Sequence, residues 1–393
     1  MKVLMVHNYY QSSAPSGEDI VFKNEVELLK NNNIDVVTHI RHNDEIMNYR
    51  LWDKFLLSFN NVWSIRTYNE IKALIKKEKP DIAHFHNIWY LMSPSAYYAC
   101  KDTGVPVVQT LHNFRLFCVN GLMMRKKKVC EDCLGKVPWR GAVRGCYRNS
   151  VFYSTPVVLT EFIHKVAKTW EDKVDAYIAL TEFGRRKYIE GGLPKEKIFV
   201  KPNFLTNPPE PFSNHKGYAV FLGRLAVEKG LYTLIEAWKG IKGFSLKIVG
   251  DGPLREDLKR LVLKNGIGNI EWTGRKSTQE CLELLNGSLF MIIPSQCYEC
   301  FPMTIREAFA CGKPVVASRL GSLAELIEDK KTGLLFEPGN PIDLAAKIRW
   351  MIENEERCLE MGRMARTEFE AKYTAQRNFE ILMQIYETVM NKR

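Results

Sequence analysis

Two carboxylates, Glu299 and Glu307, stand on either side of Phe301-Pro302 in an E-x7-E arrangement. The apolar run Leu289–Ile293 before them reads as a strand, so Glu299 falls in the loop that follows it. A helix is expected to start near Pro302, with Glu307 inside it. A loop carboxylate can accept hydrogen bonds from the hydroxyls of a sugar. A carboxylate within the first turns of a helix can accept from both hydroxyls of a ribose. The free N–H groups at Phe301, Met303 and Thr304 supply what a phosphate needs, because a helix start offers unpaired donors and a partial positive charge. An isolated pair of glutamates reads better as solvated surface charge, so the neighbouring motifs decide its meaning.

Those motifs are cationic. The run Tyr218–Leu222 ends in Gly223-Arg224-Leu225, and Glu228-Lys229-Gly230 opens the next helix. Arg grips two phosphate oxygens at once and Lys adds a point charge. Gly250-Asp251-Gly252-Pro253 follows the next strand and suits a tight turn into a helix. In the first half, Ser16-Gly17-Glu18 follows the opening strand. His84-Phe85-His86-Asn87 and Thr110-Leu111-His112-Asn113 end two later strands. A histidine at a strand end is either a satisfied edge residue or a group presented to a ligand, and both His86 and His112 hold such positions. Cys118, Cys130, Cys133 and Cys146 form a C-x11-C-x2-C-x12-C set. This spacing fits a tetrahedral four-thiolate zinc knuckle, and it fits reduced, partly buried thiols equally.

Elements that alternate between β-branched runs and helical patterns must position these groups. Strands are expected at Val3–His7, Val36–Ile40, Ile82–His84, Val105–Thr110, Ala176–Ala179 and Ile198–Lys201. Helices are expected at Asp19–Asn31, Tyr68–Lys79 and Phe183–Glu190. The proline-rich stretch from Pro202 through Pro211 can neither pair in a sheet nor continue a helix. A second alternation follows, with strands at Tyr218–Leu222, Leu246–Val249, Ile270–Trp272, Leu289–Ile293, Val315–Ala317 and Leu334–Phe336. The pattern predicts two doubly wound α/β domains facing a central cleft. The first spans 1–201, with a basic, cysteine-containing insertion at 114–150. The linker covers 202–216 and the second domain 217–373. A helix at 374–393 is expected to pack back on the first domain. Open parallel sheets bind ligands beyond the carboxyl ends of their strands.

In this order and spacing, Gly223-Arg224-Leu225, Glu228-Lys229-Gly230 and the Glu299–Glu307 pair with Phe301-Pro302 resemble glycosyltransferase family 4, a family of retaining enzymes with the GT-B fold. The resemblance implies a nucleotide-diphosphate-sugar donor bound by the second domain. It implies that Arg224 and Lys229 hold the diphosphate, Glu307 the ribose and Glu299 the transferred sugar. Gly223, Gly250, Phe301, Pro302, Met303 and Thr304 would line the donor site, with the base near Arg275. Gly17 matches part of the family's glycine-rich loop near the donor phosphate. His112 stands where the family places a histidine facing the donor sugar and phosphate. Cys300 departs from the glycine that many members carry, which narrows the pocket and bears on the identity of the donor sugar.

Composition sets the remaining bounds. With 393 residues, 46% hydrophobic and 26% charged, the chain has apolar mass for two cores. No apolar run reaches the roughly 20 residues needed to span a bilayer. The opening Met1–His7 reads as a strand rather than a signal peptide, which predicts a cytoplasmic protein with reduced cysteines. The net charge is +11, and residues 115–150 hold nine basic and two acidic side chains. Interleaved with Leu122, Met123, Met124 and Trp139, that charge predicts peripheral contact with an anionic membrane, at the inner face, and suits a glycan or lipid-linked acceptor. Nucleic-acid binding would call for a stacking platform or recognition helix across the basic face, and neither is evident. There is no Asp-x-Asp of the kind metal-dependent transferases use, so no cofactor is expected for catalysis. A sugar-nucleotide epimerase of the same architecture is the alternative enzyme class.

Overall fold

The computed structural model describes residues 1–13, 16–50, 60–211 and 215–392. Residues 212–214 of the expected linker lie outside them. The chain divides into two units. Met1–Met123, Cys130–Pro202 and Asn378–Arg393 form the first, while Met124–Val129 and Asn203–Arg377 form the second.

The first unit is built on six strands: β1 (Lys2–Tyr9), β2 (Asp35–His42), β3 (Ile82–Phe85), β4 (Val107–Thr110), β7 (Ala176–Ala179) and β8 (Ile198–Val200). They pair in the order β2-β1-β3-β4-β7-β8, every pair parallel. Parallel strands with helices on both faces must be apolar throughout, and β3, β4 and β7 are buried along their whole length. The helix Gly17–Asn31 returns the chain from β1 to β2. Ser16 caps it, with Asp19 completing a reciprocal capping box. Leu382, Ile385, Tyr386 and Val389 of the helix Ala375–Met390 are buried in the same core as Val3, Met5 and Ile178. Between β4 and β7 the chain carries a small antiparallel hairpin, β5 (Met124–Arg125) with β6 (Lys128–Val129), which is counted with the second unit, and then a short helix Trp139–Val143 of the first. It leads into a 16-residue helix, Val151–Val166. That helix and those at Ser95–Asp102 and Glu355–Lys372 were absent from the sequence expectation.

The second unit repeats the plan. β9 (Tyr218–Leu222), β10 (Ser245–Val249), β11 (Ile270–Gly274), β12 (Phe290–Ile293), β13 (Val315–Ser318) and β14 (Gly333–Phe336) form a parallel sheet ordered β11-β10-β9-β12-β13-β14. The chain winds outward from β9 to β11, then crosses back to β12 beside β9, so the order reverses between β9 and β12. Trp238, fully buried, anchors the helix Leu231–Trp238 against this sheet.

Two glycines let the loops above the reversal close. Gly230 sits at φ +70°, and a Cβ there would meet the Pro294 carbonyl oxygen at 1.7 Å. A Cβ on Gly250, at φ +136°, would meet the Gly223 carbonyl oxygen at 2.0 Å. Replacing Gly230 by Ala should therefore destabilise the second unit by about 1–2 kcal/mol from backbone strain alone, with the displaced Pro294 loop adding to it. The lowered midpoint would be read by urea unfolding. An unaltered midpoint would show that this contact is not needed.

Candidate functional site

In the second unit the loops after β9 and β12 leave neighbouring strands at the point where the strand order reverses. The first loop runs through Gly223 and Arg224 to a single turn at Val227–Lys229. The second runs from Pro294 to Pro302. The Gln296 N–H donates to the Glu228 carbonyl at 2.8 Å, next to the tight contact of Gly230 with Pro294. This backbone closure brings the Lys229 ammonium to 2.6 Å from Glu299 Oε1. The same carboxylate oxygen accepts from Ser295 Oγ at 2.7 Å, and the Glu299 carbonyl accepts from Ser322 Oγ at 2.5 Å. Burial opposes the charge on Lys229, but Glu299 beside it outweighs that effect and holds the ammonium above the usual lysine range.

The loop then enters the helix Met303–Ala310. Pro302 stands at its N-cap and no side chain caps it, so its first N–H groups are offered outward. Phe301 is buried edge-on against Tyr373, with centroids 5.5 Å apart, which pins the entry. Glu307 lies on this helix. Burial raises its pKa, and the Arg306 guanidinium at 3.7 Å pulls against that rise. Arg224 and Arg275 are exposed on the loops after β9 and β11, and neither has an ion-pair partner among the described residues. The structure thus joins Lys229 directly to Glu299, places the uncapped helix start and Glu307 on the continuation of the same loop, and leaves Arg224 as an unpaired cation on the Lys229 loop, with Arg275 after the edge strand β11, two strands from β9.

In the first unit, His112 follows β4 and meets His86, which follows β3, at 3.0 Å between Nε2 and Nδ1. His86 Nε2 in turn lies 3.1 Å from Glu25 Oε1. Glu25 is fully buried and pairs with the buried Lys201 ammonium at 2.6 Å. Burial works against its charge, yet Lys201, His84 and His86 hold the carboxyl well below its usual range. An ionised carboxylate only accepts, so Nε2 of His86 must donate to it. Nδ1 of His86 is left to meet Nε2 of His112. Burial, followed by His86 and His7, pushes the His112 imidazole well below its ordinary range, so it is neutral. Glu25, Lys201 and His84 were not singled out from the sequence. The signal for Glu25 was a charge on the apolar face of its helix, among Val21, Phe22, Leu28 and Leu29. Ligand atoms of Glu25, His84 and His86 lie within 4.8 Å of one another, but the Lys201 ammonium already supplies the positive charge there.

Gly17 is exposed as the first residue of the helix Gly17–Asn31. Beside it, Glu18 accepts from Asn113 Nδ2 at 2.9 Å, and burial raises its carboxyl to about 6. Glu18, Trp89, His112, Arg115 and Glu161 line one cavity of this unit. Glu18 Oε2, Trp89 Nε1, Arg115 Nη1 and Glu161 Oε2 are buried without a hydrogen-bond partner in the protein. Groups of this kind are rare and ask for a ligand or solvent. All ten cysteines are thiols. Burial, then the nearby Cys118, Cys130 and Cys146, pushes Cys133 up to about 11. Among the described residues the four do not close into a group with sulfurs within 4.8 Å of one another.

The matches to known proteins agree with this architecture. Residues 31–206 match the family described as Glycosyltransferase Family 4, and residues 206–368 match Glycosyl transferases group 1. An uncharacterized glycosyltransferase of Methanocaldococcus jannaschii is 29% identical over 327 residues, covering 81% of this chain and 86% of its own. The D-rhamnosyltransferase WbpZ of Pseudomonas aeruginosa is 31% identical over 160 residues, 40% of this chain and 42% of its own. In fold, the chain matches sucrose-phosphate synthase of Thermosynechococcus elongatus (TM-score 0.74, 17% identity) and HepE of Anabaena in complex with UDP (TM-score 0.69, 18% identity), each over the full length of both chains. The fold is GT-B, with two Rossmann-like α/β domains. The chain belongs to glycosyltransferase family 4.

Two outcomes follow from the buried groups of the first unit. Replacing Glu25 by Gln strands Lys201 as an uncompensated buried charge and should cost about 3–5 kcal/mol of stability by urea unfolding. Adding Lys201→Met should recover most of the loss, whereas a single variant as stable as the parent would show the pair to be dispensable. Burial also raises the Glu161 carboxyl well above its usual range. The raised group binds its proton more tightly folded than unfolded, so its contribution is present in acid and is lost as pH rises. Glu161→Gln should therefore gain in Tm over the parent as pH rises above the ordinary carboxylate range, and a pH-independent difference would contradict a buried neutral acid.

Proposed function

We propose that this glycosyltransferase moves a sugar from a nucleotide-diphosphate-sugar to a hydroxyl acceptor with retention of anomeric configuration. The observation that carries this reading is the Lys229–Glu299 ion pair at the reversal between β9 and β12, beside an uncapped helix start. Lys229, Arg224 and the N–H groups of Met303 and Thr304 are suited to the negative charge that grows on the departing diphosphate, fixed in advance of reaction. Glu299 is free to exchange Lys229 for a sugar hydroxyl, and Glu307 is placed one helix further for the ribose. Gly223, Gly250, Phe301 and Pro302 shape the loops of this donor site, and Arg275 is the candidate neighbour of the base. The bond from the anomeric carbon to the diphosphate oxygen breaks as the acceptor oxygen bonds to that carbon on the same face. The acceptor proton passes to the departing phosphate, so no protein nucleophile is needed. HepE, a fold neighbour, is named in complex with UDP and with UDP-glucose, which supports a donor of this class.

In the first unit, Gly17 and a neutral His112 held by His86 and Glu25 are the candidates nearest to chemistry. The basic insertion favours a lipid-linked or cell-surface glycan intermediate as acceptor, taken up at the cytoplasmic face. The four cysteines remain a candidate structural zinc site, for which metal analysis of the purified chain is the direct test.

Lys229→Ala should lower kcat by roughly 100-fold or more while leaving Tm within a degree or two of the parent. Turnover at the parental rate would remove Lys229 from the mechanism. Resolving the anomeric configuration of the product by NMR tests retention. Conversion of the donor to its epimer without acceptor would establish the epimerase reading instead.

A further inference from the structure

The helix Val151–Val166 is built inside out. Its buried face carries Ser154, Thr160, Glu161 and His164, with Val157 the one apolar member. Each of these polar groups except Glu161 is satisfied locally. Ser154 Oγ donates to the Ser150 carbonyl at 2.7 Å, Thr160 Oγ1 to the Pro156 carbonyl at 2.9 Å, and His164 bonds Thr169 and the Val62 carbonyl. The opposite face is apolar and exposed: Val151 is 54% accessible, Phe152 65%, Leu159 39%, Phe162 46% and Val166 68%. Residues 152, 159, 162 and 166 recur at helical spacing and make one stripe along the element. The short helix Trp139–Val143 packs against it and adds Trp139, 57% exposed, and Val143, 67% exposed. A water-facing helix ordinarily shows the reverse arrangement.

The charge around this stripe has one sign. Residues 136–168 hold six basic side chains, Lys136, Arg140, Arg144, Arg148, Lys165 and Lys168, and a single acid, Glu161, which is buried. Arg140 lies over the Trp139 ring at 5.8 Å and Arg148 over the Tyr153 ring at 5.6 Å, so cations flank the aromatic groups. Arg144 is paired with Asp132. We propose that the outer face of Val151–Val166, with Trp139 and Val143, docks on an anionic lipid bilayer. The apolar stripe enters the boundary between headgroups and acyl chains, and the flanking cations meet the lipid phosphates. A second copy of the chain is a poorer occupant, because a two-fold contact would set one basic rim against another. No helix among the described residues can cross a membrane, so the contact is peripheral. The proposal concerns this surface alone and stands whether or not the transfer reaction is as described.

The test is flotation of the full chain with vesicles of phosphatidylcholine alone and of phosphatidylcholine mixed with phosphatidylglycerol, with no donor or acceptor present. The parent should float with the mixed vesicles and not with the neutral ones. The double variant Phe152→Ser, Phe162→Ser should lose about tenfold in partition. Arg148→Gln and Lys165→Gln should each lose about fivefold, and added salt should reproduce that loss. Both phenylalanines are exposed, so the variants should keep the parental Tm and the parental turnover on a soluble acceptor. Failure of the parent to float, or equal flotation of parent and double variant, would overturn the proposal. So would a concentration-dependent dimer that Phe152→Ser dissolves, since that would assign the face to a second copy. Loss of turnover with flotation intact would count against the transfer reading and leave the surface standing.

Discussion

The first unit is organised around a carboxylate that has no route to water. Glu25 sits on the returning helix Gly17–Asn31, yet its partners come from everywhere else in the unit: His84 and His86 from the end of β3, and Lys201 from the end of β8. Lys201 also reaches Asn378 at 3.1 Å, and Tyr386 closes on His84 at 2.7 Å, so the last helix is fastened to the same point. A buried ion pair is a doubtful source of net stability, since desolvation offsets most of the attraction. Its effect here is on arrangement. Only one register of helix, strand ends and C-terminal helix lets every polar atom around Glu25 find its partner. The cost of any other register is an unpaired charge in a dry core. His112 is held from that same point, two hydrogen bonds away.

The second unit reaches its geometry by a different route. Its two site loops are closed by backbone packing. The loop after β9 is pressed against the loop after β12, with Gly230 backbone where a side chain would collide with Pro294. Lys229 and Glu299 are adjacent as a consequence of that closure rather than its cause. An ion pair with both ends partly open to solvent contributes little stability. What it does supply is a cation and a carboxylate whose mutual contact a polyanionic, hydroxyl-rich ligand can exchange for its own. A site held by backbone packing can give up a side-chain contact on binding without losing its shape, which suits a donor that must enter and leave.

The sequence made the strands and the donor motifs legible for a common reason. Parallel strands buried on both faces are short β-branched runs, and the loops that carry Arg224, Lys229 and Glu299 leave from their ends. Alternation located the strands to within a residue or two, and spacing then put the charged groups at their carboxyl ends. Glu25 and Lys201 escaped because each is an ordinary charged residue in an ordinary element. Their meaning depends on contacts across 176 positions of chain, which no local pattern carries. The reversal of strand order that sets β9 beside β12 was legible only as a topology expected of such folds. Gly230, by contrast, stood inside a recognised motif. The physical reason for it, the carbonyl of Pro294, appears only once the loops are folded together.

The helix Val151–Val166 escaped for the opposite reason: its pattern was visible and misleading. A run of Val, Phe, Tyr, Leu and Ile broken by Pro156 carries apolar residues where a solvent-facing helix would carry charges, so it does not read as amphipathic in the usual sense. Pro156 stands inside the helix, past its first turn, and so removes the N–H that would bond the carbonyl of Phe152. The inverted faces make sense once the helix is seen to separate two environments that both differ from water. Inside, Glu161 faces a cavity that it shares with Arg115 and His112, and burial keeps it an uncharged acid able both to donate and to accept. Outside, the apolar stripe has no cover among the described residues and a rim of cations. One element then gives a polar wall to a binding cavity and an oily wall to its surroundings. That division of labour is what a transferase needs if its acceptor's reactive head is polar while the rest of the acceptor stays in lipid.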